Sequence, residues 1–142
     1  HTHDHKYISK LSADGIISQI GSTNQKIEAI CGVSPVLMRP PGGYIDTRSL
    51  SVVGNMGMSA IMWSIDTRDW QHRNAQRTID TVLSQVRDGD IILMHDIYST
   101  SADAAVVLIP ELTARGYQLV TVSELAAYRG GAAPGHKYSQ FR

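Results

Sequence analysis

Apolar residues recur along this chain with two alternating periods. Ile16, Ile20, Ile27 and Ile30 fall at helical spacing, with Ser12 or Asp14 in place to cap the helix and Gly32 to stop it. Gly15 and Gly21 weaken its early turns. Val36-Leu37-Met38 is a short strand that runs into RPPGGY, where prolines and glycines forbid regular structure. Asp46 caps a helix carrying Leu50, Val53 and Met56 and closed by Gly57, and MSAIMWS follows as a buried strand. After a polar loop from Asp66 to Asn74, Asn74 caps a helix with Ile79, Val82, Leu83 and Val86 on one face, ended by Asp88-Gly89. IILM is the next strand and HDIYSTS the loop after it. Ser101 precedes a helix with Ala105, Leu108, Ile109 and Leu112 on one face, in which Pro110 must kink the helix or begin its second part. Gly116 ends it, YQLVTV reads as a strand, and Ser123 caps a last helix through Tyr128. Residues 129–142 read as a Gly/Pro-rich tail without apolar periodicity.

Strands alternating with helices predict an α/β fold with parallel strands, either an open doubly wound sheet or a closed (β/α) barrel. Four strands are too few for a barrel, which usually needs ~200 residues or more. A chain of 142 residues is therefore expected to be the C-terminal part of one. It opens abruptly inside a polar cluster, so the true N-terminus and any targeting information are expected upstream.

Composition narrows the function classes. The chain is 42% hydrophobic and 18% charged, with a formal net charge of zero. Scattered, balanced charges give no basic stripe for nucleic acid and no basic amphipathic helix for a membrane surface. The longest apolar run, Ala104 to Ile109, is far short of the ~20 residues that span a bilayer. One cysteine, Cys31, excludes an internal disulfide framework; at the end of an apolar stripe it reads as a buried thiol.

Ligands of parallel α/β folds bind at the carboxyl ends of the strands. The unusual polar residues all fall there. Arg39 follows VLM, Asp66 and Asp69 follow AIMWS, His95 and Asp96 follow IILM, and His1 to His5 stand where a strand end is expected. HTHDH offers two ligand geometries. As a helical turn, His1 and His5 face one way; extended, His1 and His3 do. Catalytic zinc normally takes ~three protein ligands plus water, so either pair needs a third, most simply a carboxylate. Asp69 is placed to accept the ring N–H of His95, fix its tautomer and raise its pKa for use as a general acid. Arg39, rigidly aimed before Pro40-Pro41, suits a carboxylate or anion. Gly42 and Gly43 leave backbone N–H groups open to an oxyanion. Trp70 reads as a groove wall for sugar rings, and Leu93 as a core residue of its strand at the floor of a pocket.

In order and spacing, HTHDH, RPPGG, DTRDW and LMH resemble the H-[ST]-x-x-H, Arg-x-Pro, Asp-x-x-Asp-Trp and Leu-x-His motifs of the carbohydrate esterase family 4, or NodB-homology, polysaccharide deacetylases. GYQLVTVSEL resembles the family's closing strand and helix, so residues 1–128 are similar to the C-terminal part of its catalytic domain, with 129–142 as the tail. The resemblance implies a distorted (β/α) barrel and metal-dependent hydrolysis of acetyl groups, most simply N-acetyl, on a polysaccharide. By it, His1 and His5 bind a divalent ion, zinc first and cobalt or another ion as alternatives, with Thr2 supporting the loop and His3 outside. His95 is the general acid, Asp69 tunes it and Arg39 positions the catalytic base. Gly42 donates its N–H to the oxyanion, Trp70 lines the groove and Leu93 meets the acetyl methyl group.

Two departures from the family stand out. Gly42 occupies a position where members often carry an aromatic, so that wall is lost unless Tyr44 replaces it. The Asp-Asp pair that supplies the base and the third ligand is absent from the chain, so the partner expected is a polysaccharide together with an upstream segment carrying that pair. The substrate implied is N-acetylglucosamine of peptidoglycan or of a chitin-like glycan, and the location implied is extracytoplasmic and bacterial. Two other readings remain: a His-x-His metal amidohydrolase using His1 and His3, and a catalytically silent carbohydrate-binding fragment.

Overall fold

Ser12, Asp46 and Asn74 cap three helices as expected in the computed structural model, which describes residues 1–142. In chain order the elements are α1 (Ala13–Cys31), β1 (Leu37–Met38), α2 (Thr47–Asn55), β2 (Ser59–Ile61), β3 (Ile65–Asp66), α3 (Asp69–His72), α4 (Ala75–Gln85), β4 (Ile92–Leu93), α5 (Ser99–Ala114), α6 (Val122–Tyr128) and β5 (Lys137–Tyr138). They divide into a first unit, His1–Met62 with Gly130–Tyr138, and a second, Trp63–Arg129 with Ser139–Arg142.

In the first unit, the Ser12 hydroxyl accepts from the Gly15 N–H, and Gly32, at φ 69° in the left-handed region, closes α1. Asp46 and Ser49 cap α2 reciprocally, each side chain accepting from the other's backbone N–H. Ile8, Ile16, Ile20, Met38, Val53 and Met58 form the core, each fully buried apolar side chain contributing about 1.5–3 kcal/mol. The isoleucine stripe is only half used: Ile27 is 39% and Ile30 83% exposed. Cys31 is exposed rather than buried. The core residues of the unit face only the early turns of α1, so helical spacing alone overstated the buried face. β2 pairs parallel with β1 (Leu37↔Ser59, Met38↔Ala60) and, on its other side, with β5 (Ala60↔Lys137, Ile61↔Tyr138).

The stretch expected as a tail thus supplies a strand. A two-residue strand has no period to read. It reaches β2 because Gly54 and Gly135 lack side chains: a Cβ on Gly54 would lie 2.5 Å from the Gly135 Cα. The Ser59 hydroxyl donates to the carbonyls of Ala132 and Ala133, which fixes the approach.

In the second unit, β3 and β4 pair parallel (Ile65↔Ile92, Asp66↔Leu93). β3 lies at the start of the stretch expected as polar loop. Asn74 caps α4 by accepting from the Arg77 N–H. Ile65, Ile79, Val82, Ala104, Leu108 and Leu112 form the core. α5 begins before Ser101, with Tyr98 as its cap, and runs unbroken through Pro110. Its buried line is Ser101, Ala104, Leu108 and Leu112, leaving Ile109, expected inside, 55% exposed. Residues 117–121 form no strand; the Tyr117 hydroxyl donates to the Val86 carbonyl, and Thr121, not Ser123, caps α6 in a reciprocal box with Glu124. Competition from that local cap explains why an apolar alternating run misled. Phe141 is buried, its N–H donating to the Gly89 carbonyl. No helix is long and apolar enough to cross a membrane.

Candidate functional site

The first unit assembles one group of polar residues around its opening turn. Thr2 is buried; its hydroxyl donates to the Lys6 carbonyl, and its own carbonyl accepts from the His5 N–H at 3.3 Å. That closes a tight turn in which His5 takes φ 57°, a left-handed conformation uncommon for a residue with a side chain. The turn brings the rings of His1 and His5 edge to face, centroids 5.0 Å apart. His1 Nδ1 lies 2.5 Å from the Arg39 carbonyl oxygen. A carbonyl only accepts, so Nδ1 carries the hydrogen and Nε2 keeps its lone pair for a ligand. His3 Nε2 instead sits 3.4 Å from the Lys26 Nζ. The turn therefore brings His1 and His5 together, whereas His3 turns toward Lys26.

Two imidazoles supply part of a metal site. No group of three or more His, Cys, Asp or Glu side chains suited to an ion comes together, so the pair fits a catalytic ion only with a further protein ligand.

Arg39 follows β1 and is half-buried, and burial draws its guanidinium below the ordinary arginine value. Its side chain has no acidic partner in the chain. Pro40 and Pro41 follow it and are buried, with Pro40 itself extended. Gly42, at φ 62°, turns the chain next. A Cβ there would lie 2.8 Å from the Tyr44 ring, so Tyr44 fills the space that a side chain at position 42 would take. The Tyr44 ring stacks on Tyr7, centroids 4.7 Å apart and tilted 39°, and both rings are partly open to solvent.

The second unit holds the other group. Asp69 opens α3 and is 1% exposed. Its Oδ1 accepts from His95 Nδ1 at 2.8 Å and from the Trp70 N–H at 2.9 Å. Its Oδ2 accepts from the His95 N–H at 2.6 Å and from the Ser101 hydroxyl at 2.6 Å. Burial acts to raise the Asp69 pKa, but the bonds from Ser101 and His95 outweigh it and hold the carboxyl below its ordinary value. The carboxylate stays ionised at neutral pH, which places the hydrogen of His95 on Nδ1 and aims Nε2 outward from the pair. His95 is a quarter exposed. Trp70, beside Asp69, presents a half-open ring, 49% exposed. Leu93 is buried in β4, and its carbonyl accepts from the Thr67 hydroxyl at 2.7 Å.

Residues 1–61 match the family described as polysaccharide deacetylase. The chain is 45% identical over 125 residues to the peptidoglycan-N-acetylmuramic acid deacetylase PdaC of Bacillus subtilis, covering 88% of this chain and 26% of that protein. It is 37% identical to the peptidoglycan-N-acetylglucosamine deacetylase PgdA of Listeria monocytogenes, with the same coverage. Among solved structures, a T48 deacetylase with substrate superposes with a TM-score of 0.91 at 38% identity, covering 98% of this chain and 68% of that one.

The chain belongs to the polysaccharide deacetylase family.

It spans about a quarter of the length of the curated relatives named above. A family 4 acetyl xylan esterase of Clostridium thermocellum, solved with a cobalt ion, superposes with a TM-score of 0.88 at 28% identity over 99% of this chain and 70% of that one. The α/β fold expected of a family member is present. Each motif of the resemblance lands where its unit gathers polar groups: His1, His5, Arg39 and Gly42 in one, Asp69, Trp70, Leu93 and His95 in the other. Sequence reading missed two participants. Ser101 was expected only to precede a helix, whereas it lies within α5 and its hydroxyl is buried against Asp69; its signal was a hydroxyl in line with the apolar stripe of α5. Tyr7, the support of Tyr44, carried no signal because its partner is 37 positions away.

Proposed function

We propose that this chain serves the hydrolytic removal of N-acetyl groups from a polysaccharide, with N-acetylglucosamine of peptidoglycan, or of a chitin-like glycan, as substrate. The observation that carries this is the Asp69–His95 pair: a buried carboxylate fixing one ring nitrogen of a partly exposed histidine so that the other can hand a proton to a leaving amine. The names of the relatives support peptidoglycan, and they include a muramic acid as well as a glucosamine deacetylase.

Each remaining residue has a role. Gly42, with no Cβ and with its N–H unengaged, donates to the oxyanion of the tetrahedral intermediate. Arg39, half-buried and unpaired, orients a carboxylate that takes the proton of the attacking water. Trp70 offers its face to a sugar ring, and Leu93 the apolar end of the acetyl pocket. His1 and His5 hold a divalent ion, zinc by preference, with a carboxylate from an Asp-Asp segment beyond these residues; when bound, the ion polarises the carbonyl and acidifies water. The setting proposed is outside the cytoplasm, where such glycans lie.

The test is acetate release from N-acetylglucosamine oligomers by the chain extended with an Asp-Asp segment of its family and loaded with zinc. Turnover is expected, and His95→Ala is expected to lower kcat at least ~100-fold while the ion stays bound. Full activity in His95→Ala would remove the general-acid role. A second reading applies to these 142 residues alone: with two histidines and no third ligand, they bind the glycan without releasing acetate.

A further inference from the structure

The turn that presents Asp69 and Trp70 is held in an unusual backbone path. Arg68 (φ 53°, ψ 30°) precedes the single turn of α3 and Arg73 (φ 46°, ψ 49°) follows it, both left-handed without being glycine. Four helical residues do not sustain themselves. Such a conformation persists only where the surroundings over-determine it.

His72 supplies that constraint at both ends. Its Nε2 lies 2.9 Å from the Thr67 carbonyl, before the turn, and its Nδ1 lies 3.1 Å from the Asn74 N–H, after it. A carbonyl only accepts and a backbone N–H only donates, so the ring is neutral with its hydrogen on Nε2. The two anchored residues are themselves tied down. The Thr67 hydroxyl donates to the Leu93 carbonyl on β4 at 2.7 Å, and the Asn74 side chain caps α4. His72 thus bolts the turn to a strand on one side and a helix on the other. Asp69 and Trp70 lie between the bolts.

We infer that His72 is a positioning residue, acting through the turn Thr67–Asn74 to hold the Asp69 carboxylate against His95 and the Trp70 ring in its place. Its effect on turnover rests on the deacetylase reading; its effect on geometry does not.

Three variants separate the two bonds. His72→Ala removes both, His72→Gln keeps a donor for Thr67, and His72→Asn keeps an acceptor for Asn74. On this chain without substrate, in a Trp63→Phe background, the Trp70 emission of His72→Ala is expected to become about twofold more quenchable by acrylamide. The His95 Nδ1 proton resonance is expected to broaden or vanish, and Gln and Asn are each expected to restore part of both signals. On the extended, zinc-loaded enzyme, kcat is expected to fall about 10-fold in His72→Ala, KM changing less. If His72→Ala does not fold, the Gln and Asn variants decide the matter by the same readouts. Unchanged quenching and an unchanged His95 resonance in whichever variants fold would overturn the inference, whatever their stability. If the two signals change while even the wild-type enzyme releases no acetate, the positioning role stands and the deacetylase reading fails.

Discussion

Replacing Asp69 with asparagine preserves size and removes one charge, and the geometry makes its cost calculable. Four donors converge on the carboxylate, two on each oxygen. An amide can present its NH2 at only one of the two positions, and each includes a backbone N–H that cannot turn away: Trp70 at Oδ1, His95 at Oδ2. The Ser101 hydroxyl can rotate and the His95 ring can exchange tautomer, but those N–H groups cannot. One position therefore sets donor against donor, and the bonds at the other lose their charge assistance. Charge-assisted hydrogen bonds contribute ~1.5–3 kcal/mol each, so Asp69→Asn is expected to lose about 3–5 kcal/mol of stability at pH 7. Urea unfolding followed by tryptophan emission measures it, since both tryptophans, Trp63 and Trp70, belong to the second unit. The pH dependence adds a sign. The folded pKa of Asp69 lies below its ordinary value, so its contribution is complete above the unfolded value and is lost as pH falls through the folded one. The gap between wild type and variant should accordingly be constant above roughly pH 5 and narrow below about pH 4. A loss under ~1 kcal/mol, or a gap that widens in acid, would refute the reasoning.

Three further perturbations test other parts. Ser101→Ala removes one donor from Asp69 and should cost about 1–2 kcal/mol; because that bond lowers the carboxyl pKa, the acid loss of stability, which begins at the unfolded value in both proteins, should be smaller and end at higher pH in the variant, as read from unfolding midpoints across pH 2–6. Gly54→Ala puts a Cβ against the backbone of Gly135; a cost of about 1–3 kcal/mol and faster amide exchange at Lys137 and Tyr138 are expected, and an unchanged melting temperature would mean that β5 does not need this approach. His5→Ala should weaken zinc binding to the extended domain at least ~10-fold in calorimetric titration while His3→Ala leaves it unchanged, and the reverse ranking would reinstate the His-x-His alternative.

What could be read in advance was whatever the chain settles locally. Ser12, Asp46 and Asn74 cap helices because the bond joins residues three apart, a distance within any short window. The motif residues were legible for a related reason: a site at strand ends uses residues that follow apolar runs at once. Choices made across the fold were not legible. The run Tyr117–Val122 has strand composition yet yields to a cap at Thr121, and a stretch without apolar periodicity adds β5 because two glycines allow it. The buried face of α5 is turned by one position from its most hydrophobic line, since Ser101 must reach Asp69. The second bond of His72 likewise depends on a backbone path that no propensity favours.

The exchange between Gly42 and Tyr44 bears on how the family varies. One volume beside Tyr7 can be filled by a ring rooted at either of two positions, and the geometry admits only one tenant at a time. The two positions should then mutate as a pair across homologues: a bulky residue at 42 going with a small one at 44, and a ring at 44 demanding glycine at 42. Single exchanges pass through a crowded or an empty intermediate, so lineages that have settled on one arrangement would seldom cross to the other.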